Sequence, residues 1–221
     1  MLAHEYSIAL PAYRAVYIDI AKVASSSIKT YIAAVLELDN LSGNPHEIVF
    51  SKPSQLASTG AQLFPQQYSF TFVRNPWDRL VSCYRDKICG EVGGFTQLAD
   101  NGVAHCLAGF PEFQAAMSFT DFVQAIASIT DVRADEHFRS QADYVTNAEG
   151  SLAVDFVGRY ETLAEDLDQV ARHLRLPDNI VLPRLQAAPA ASYIDYYTPA
   201  TRDLVAGRYA RDIELFAFRF D

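Results

Sequence analysis

A lysine and three consecutive serines stand close together in IDIAKVASSSIK, residues 18 to 29. One serine is enough to cap a helix, because the first N–H groups of a helix have no partner within it. Here Lys22 adds an ammonium, Ser25, Ser26 and Ser27 add three hydroxyls, and the backbone amides from Val23 and Ala24 onward add further donors. Together they suit a terminal phosphate. A second set follows in FVRNPWDRLVSCYRDK, residues 72 to 87. Arg74 carries a planar fork of donors that matches a phosphate. Ser82 lies on the helix face reached from Asn75 and Asp78 by steps of three and four residues. Two anion pockets point to one ligand phosphorylated at two places.

The elements that must position these residues are legible in the hydrophobic pattern. YRAVYIDI, residues 13 to 20, is β-branched and aromatic and reads as a buried strand. From Ser26 to about Leu38, Ile28, Ile32, Val35 and Leu36 recur at helical spacing. The plan repeats as a strand over Ser69 to Val73, a break at Asn75 and Pro76, and a helix carrying Leu80, Val81 and Tyr84 inward. Residues 40 to 67 read as loop, with one short strand at EIVF, and 89 to 118 show no clear pattern. SFTDFVQAIASI (118 to 129) is an amphipathic helix capped by Ser118 or Thr120. SLAVDFVGRY (151 to 160) is a further strand, followed by a helix that stops at Pro177. A last helix runs from Pro199 despite Gly207. Strands alternating with helices predict an α/β fold: a single domain over residues 1–221, with a central parallel sheet flanked by helices. In such sheets ligands collect beyond the carboxyl ends of the strands, where helix N-termini offer N–H groups to anions. Both anion-binding sets fall at such junctions.

With half its 221 residues hydrophobic and a net charge of −9, the chain has ordinary globular composition and is not a general nucleic-acid binder, whose affinity needs many basic residues. Any anion site is therefore local. Cys83, Cys89 and Cys106 have no metal-type or CxxC spacing and read as reduced thiols. No stretch approaches the ~20 apolar residues of a membrane span, and the start of the chain lacks a leader pattern. A soluble protein of a bacterial cytoplasm is the expectation. The GxxxxGK[ST] loop of ATP-hydrolysing enzymes is absent, since the turn at Lys22 has no glycine.

AKVASSSIK resembles the 5′-phosphosulfate loop, and FVRNPWDRLVSCYRDK the 3′-phosphate motif, of sulfotransferases that use 3′-phosphoadenosine 5′-phosphosulfate (PAPS). The nearest resemblance is to the Golgi carbohydrate sulfotransferases and their bacterial relatives. DEHFRSQADYV is similar to that branch's His-x-x-x-Gln block, DFVGRYETLAEDL to its Tyr-Glu-x-Leu segment, and YARDIELFAF to its closing helix. The resemblance implies a P-loop-like α/β fold, PAPS as sulfuryl donor and no required metal. It implies that Lys22 contacts the 5′-phosphate and bridging oxygen, that residues 23 to 27 bind the 5′ end, that Arg74 and Ser82 bind the 3′-phosphate, and that Tyr160 lies near the adenine. Ala21 departs from the family's proline before the lysine, which loosens the turn but removes no ligand. Ser25 stands where many members carry cysteine.

Transfer to a hydroxyl needs a group to take its proton, usually histidine or a carboxylate. His46 is favoured, because heparan-type relatives place their histidine between the two phosphate motifs. Glu47 beside it and His137 are the other candidates, with Arg139 and Gln141 as helpers to His137. His4, His105 and His173 read as surface or packing residues, Arg79 and Arg85 as partners of carboxylates, Trp77 and Tyr84 as packing, and Glu161 as a buried positioning group. The net charge disfavours a long sulfated polymer as acceptor and suits a saccharide, a lipid-linked sugar or a small metabolite. Two other functions stay open: a non-catalytic binder of 3′-phosphoadenosine 5′-phosphate, and a phosphoryl-transfer enzyme on the same scaffold.

Overall fold

A computed structural model describes residues 5–40, 43–50, 66–90, 96–183 and 192–221. In chain order its regular elements are β1 (Ser7–Leu10), β2 (Ala15–Ile18), α1 (Ser25–Val35), β3 (Tyr68–Val73), α2 (Pro76–Lys87), α3 (Phe119–Ser128), α4 (Ala142–Val145), β4 (Phe156–Arg159), α5 (Leu163–Leu174), α6 (Pro199–Arg208) and α7 (Ala210–Phe216). This is an α/β fold with one mixed sheet of four strands in the order β1-β2-β3-β4. The chain forms two compact units, one of residues 1–74 with 141–185 and the other of residues 75–140 with 186–221. No helix among the described residues is long and apolar enough to cross a membrane.

The first unit holds the sheet. β2, β3 and β4 are parallel, as expected, but β1 runs antiparallel to β2, pairing Ser7 with Ile18 and Leu10 with Ala15. The sheet is therefore not purely parallel. The cause is the short link: Pro11–Tyr13 form a 3-10 turn and Arg14 takes a left-handed conformation, φ 49°, which reverses the chain at once. Only antiparallel strands can be joined so tightly. The four residues of β2 are all buried, as are Phe70 and Phe72 of β3 and Ile28 and Ile32 of α1. β4 is shorter than the pattern suggests, and just before it the Asp155 carboxylate accepts from the N–H and hydroxyl of Ser69, at 2.8 and 2.7 Å. Gly158 is required where it stands, since a Cβ there would come within 2.5 Å of the Phe72 ring. EIVF forms no strand: Pro45–Glu47 are a 3-10 turn capped by the Asn44 side chain. Glu161 lies exposed in a 3-10 turn, Tyr160–Thr162, and is not the buried positioning group expected. His173 stacks on Tyr68 with ring centroids 4.1 Å apart, a packing role.

The second unit is helical. Asn75 caps α2 by accepting from the Trp77 N–H at 3.1 Å, and its amide donates to the Arg219 carbonyl at 2.7 Å. Trp77 packs as expected, its indole N–H donating to the Arg202 carbonyl and its ring meeting Phe220 edge on. Tyr84 packs against Phe119 and Phe122, and its hydroxyl donates to the Met117 carbonyl. Ser118, not Thr120, caps α3. The last helical stretch is broken into α6 and α7 at Tyr209, a buried residue whose hydroxyl donates to the Phe138 carbonyl at 2.6 Å. That bond and the burial of the ring outweigh helical continuity. Residues 96 to 118 are mostly turns, with a 3-10 turn at His105–Leu107 and an isolated bridge between Leu98 and Ala104. No disulfide joins Cys83, Cys89 and Cys106. His4 lies outside the described residues.

Asp131 ties this unit together. It accepts from Arg208 at 2.6 Å and from the N–H and hydroxyl of Ser140 at 3.0 and 2.8 Å. Burial acts to raise its carboxyl, but the bonds from Arg208 and Ser140 prevail and hold it below the usual range. A carboxyl depressed in the folded state stabilises the fold above its unfolded value, about 3.9, and that contribution is lost as pH falls from there through the folded value. The urea midpoint should fall more steeply below about pH 4 in the natural protein than in Asp131→Asn. Parallel pH profiles would remove Asp131 from the account.

Candidate functional site

The turn between β2 and α1 is shaped by its backbone. Lys22 and Ala24 both have φ of 68°, left-handed values that residues with a Cβ adopt only at a cost of roughly 1–3 kcal/mol each. Turns of this kind form anion-binding concavities from their N–H groups. Ala24, not a serine, is the N-cap of α1, and no side chain caps the helix. Val23 is fully buried and anchors the turn. The serines have other partners. Ser25 Oγ donates to Asp19 Oδ1 at 2.6 Å, Ser26 Oγ lies 3.2 Å from His46 Nε2, and Ser27 is buried in the first turn.

Asp19 organises this corner. Besides Ser25 it takes Lys29 Nζ at 2.5 Å, and the Tyr17 hydroxyl at 3.4 Å. Burial first, and then the Asp19 charge, push the Tyr17 phenol well above its ordinary value. The anion of Asp19 is thus matched by Lys29. His46 is brought to Ser26 by the 3-10 turn at Pro45–Glu47, where Asn44 accepts from the His46 N–H at 3.0 Å and donates to Glu47 Oε1 at 3.1 Å. His46 and Glu47 are both exposed.

Arg74 follows directly on β3. Its guanidinium lies 3.9 Å over the centre of the Tyr160 ring and donates to the Lys22 carbonyl at 3.2 Å. Its backbone N–H donates to Gln141 Oε1, and its carbonyl accepts from Gln141 Nε2, both at 2.9 Å. The first unit thereby gathers Lys22, residues 23 to 27, His46, Arg74 and Tyr160 around the ends of β2, β3 and β4.

Ser82 and His137 belong to the second unit. Ser82 is half-buried in α2. His137 Nδ1 lies 2.6 Å from Asp135 Oδ1, which also accepts from the His137 N–H. Burial acts to raise the Asp135 carboxyl, but His137 lowers it further, so Asp135 stays an anion that orients the ring. Cys106 joins them: its thiol, the carboxylate and the imidazole lie within 4.8 Å of one another. Burial, followed by Asp135, pushes the Cys106 thiol up to about 11, so it is held protonated. The backbone before and after His137 is fixed by Arg79, which donates to the carbonyls of Arg139 and Glu136 at 2.7 and 3.0 Å. These bonds tie Arg79 to the backbone.

Two contributors escape a reading by motif. Asp19 is the only acid between residues 6 and 36 and sits at a strand end, a signal the sequence does carry. Gln141, expected to assist His137, instead clasps Arg74.

A family model described as the sulfotransferase family matches residues 6–219. Carbohydrate sulfotransferase 14 of Homo sapiens is 29% identical over 226 aligned residues, covering 93% of this chain and 58% of that protein. Its Mus musculus counterpart is 28% identical with the same coverage, and the Danio rerio protein 24% identical over 62% of this chain and 35% of its own length. The chain therefore spans less than two thirds of the length of these relatives. No solved structure matches it.

Asp19→Ala leaves Ser25 and Lys29 without their shared acceptor in a largely buried corner. It should destabilise the protein by about 1–3 kcal/mol, read from the urea midpoint. A change below about 0.5 kcal/mol, the size of an ordinary surface substitution, would show that the corner does not depend on Asp19.

Proposed function

The chain belongs to the sulfotransferase family, and from that premise we propose that it transfers a sulfuryl group from PAPS to an acceptor hydroxyl on a carbohydrate. The observation that carries the reading is the bond from the Arg74 guanidinium to the Lys22 carbonyl at 3.2 Å, which ties the turn beyond β2 to the residue that ends β3, each of them carrying a cationic residue. A ligand with a phosphate at each end of a ribose needs two such groups in one place.

The donor set fits that ligand. Lys22, the left-handed turn and the uncapped start of α1 suit a 5′-phosphosulfate. Arg74 suits the 3′-phosphate, and the Tyr160 ring offers a face beside it. PAPS supplies a sulfuryl group whose bond to the 5′-phosphate breaks as the acceptor oxygen bonds to sulfur, leaving a sulfate ester and 3′-phosphoadenosine 5′-phosphate. The chain's own part is positioning and charge. Lys22 holds positive charge where the leaving phosphate becomes more negative, the kind of fixed stabilisation that serves group transfer best. His46, oriented by Asn44 and beside Ser26, takes the proton of the acceptor hydroxyl; Glu47, in the same 3-10 turn, is the alternative to it. None of these roles calls for a metal. The names of the mammalian relatives support a saccharide acceptor.

Calorimetric titration tests the donor class. Natural protein should bind 3′-phosphoadenosine 5′-phosphate and not ATP with magnesium, and Arg74→Ala should weaken that binding by roughly tenfold or more, the equivalent of about 1.4 kcal/mol. A preference for ATP with magnesium, or an Arg74→Ala variant that binds as tightly as the natural chain, would contradict the reading.

A further inference from the structure

Gln141 is fully buried, and both ends of its amide engage one residue. Oε1 accepts from the Arg74 N–H and Nε2 donates to the Arg74 carbonyl, each at 2.9 Å. The geometry imitates the paired bonds that a neighbouring strand makes. It occurs where that neighbour has ended: the last pair between β3 and β4 is Val73 with Arg159. Without Gln141 the backbone of Arg74 would leave the sheet with two polar groups to satisfy in a largely buried place, at a cost of about 1–3 kcal/mol for each group left unpaired.

Holding both backbone groups of one residue fixes its peptide planes, and with them the direction of its Cα–Cβ bond. The side chain of Arg74 then reaches the Tyr160 ring and the Lys22 carbonyl. An amide suits this task better than a carboxylate. It supplies one donor and one acceptor and brings no negative charge beside a guanidinium meant for an anion.

We propose that Gln141 is the positioning residue of the 3′-phosphate subsite, holding Arg74 at the end of β3 so that its guanidinium meets that phosphate. The inference rests on reading Arg74 as the ligand of the 3′-phosphate. Gln141 acts on the nucleotide through Arg74. Its removal therefore harms recognition of one phosphate and spares the other.

Two probes separate these effects: 3′-phosphoadenosine 5′-phosphate, and adenosine 5′-monophosphate, which lacks the 3′-phosphate. The natural protein should prefer the first. Gln141→Met, similar in length but unable to make either bond, should lose roughly tenfold or more in affinity for the bisphosphate while its affinity for the monophosphate changes by less than about threefold. Gln141→Glu, which keeps an acceptor for the Arg74 N–H, should show the same selective loss and serves if the methionine variant does not fold. In an Arg74→Ala background, Gln141→Met should cause no further loss. Folding of each variant is read separately from its urea transition. A folded variant that keeps the natural preference, or that loses affinity for both nucleotides alike, overturns the positioning role. A natural protein that binds the two probes equally overturns the reading of Arg74 itself, and the inference with it.

Discussion

The carboxyl end of β3 is the constraint on which the first unit depends. There the chain must leave a parallel sheet, satisfy the N–H and carbonyl of Arg74 away from water, and still present a charged side chain. Gln141 meets the first need with two bonds of 2.9 Å, while the Lys22 carbonyl and the Tyr160 ring receive the guanidinium. Three stretches distant in sequence, ending β2, ending β3 and following β4, are thereby bound to one arginine. The same logic operates at the end of β2, where Asp19 gathers Ser25, Lys29 and Tyr17. In both places one polar side chain, Gln141 at the start of α4 or Asp19 just past β2, fixes the groups at a strand end.

Charge is unevenly arranged in this acidic protein. The net charge is −9, yet the acid nearest the serine turn is matched by Lys29. In the same unit the Arg74 guanidinium donates to the backbone carbonyl of Lys22. A local arrangement of two cations and a helix start outweighs the average at short range, because distant charges are screened by solvent and salt. In the second unit the balance runs the other way. Buried arginines, Arg79 and Arg208, bond to backbone and to Asp131, and so act as struts for the segment that carries His137.

Much of this was legible in the sequence, for reasons that particular residues make plain. The strands and helices around Lys22 and Arg74 announce themselves because β-branched runs and helical spacing are local signals. The antiparallel β1 was not legible, since SIAL is only four residues long and its pairing is decided by the Pro11–Arg14 turn. The break at Tyr209 was hidden for a similar reason: it depends on a hydroxyl reaching Phe138, 71 residues away. Residue types pointed to Lys22, Ser25–Ser27 and Arg74, and the family resemblance to His46 and Tyr160; the fold has all of these in the first unit, and Ser82 and His137 in the second. The role of each serine was not legible, because hydroxyls take whichever partner the fold brings close: Ser25 found Asp19 and Ser26 found His46. Gln141 appeared beside His137 in the chain, but its partner lies 67 residues earlier. Pairings of that kind are made by the fold, and one sequence carries no trace of them.

The central claim is that the turn from Lys22 to Ser27 and the residue that ends β3 form two halves of one nucleotide site. A crystal structure of the protein with 3′-phosphoadenosine 5′-phosphate tests it most directly. The account predicts the 5′-phosphate on Lys22 and the amides at the start of α1, with the 3′-phosphate on the Arg74 guanidinium and the Arg74–Gln141 bonds intact. A nucleotide bound elsewhere, or one whose 3′-phosphate makes no contact with Arg74, would contradict it.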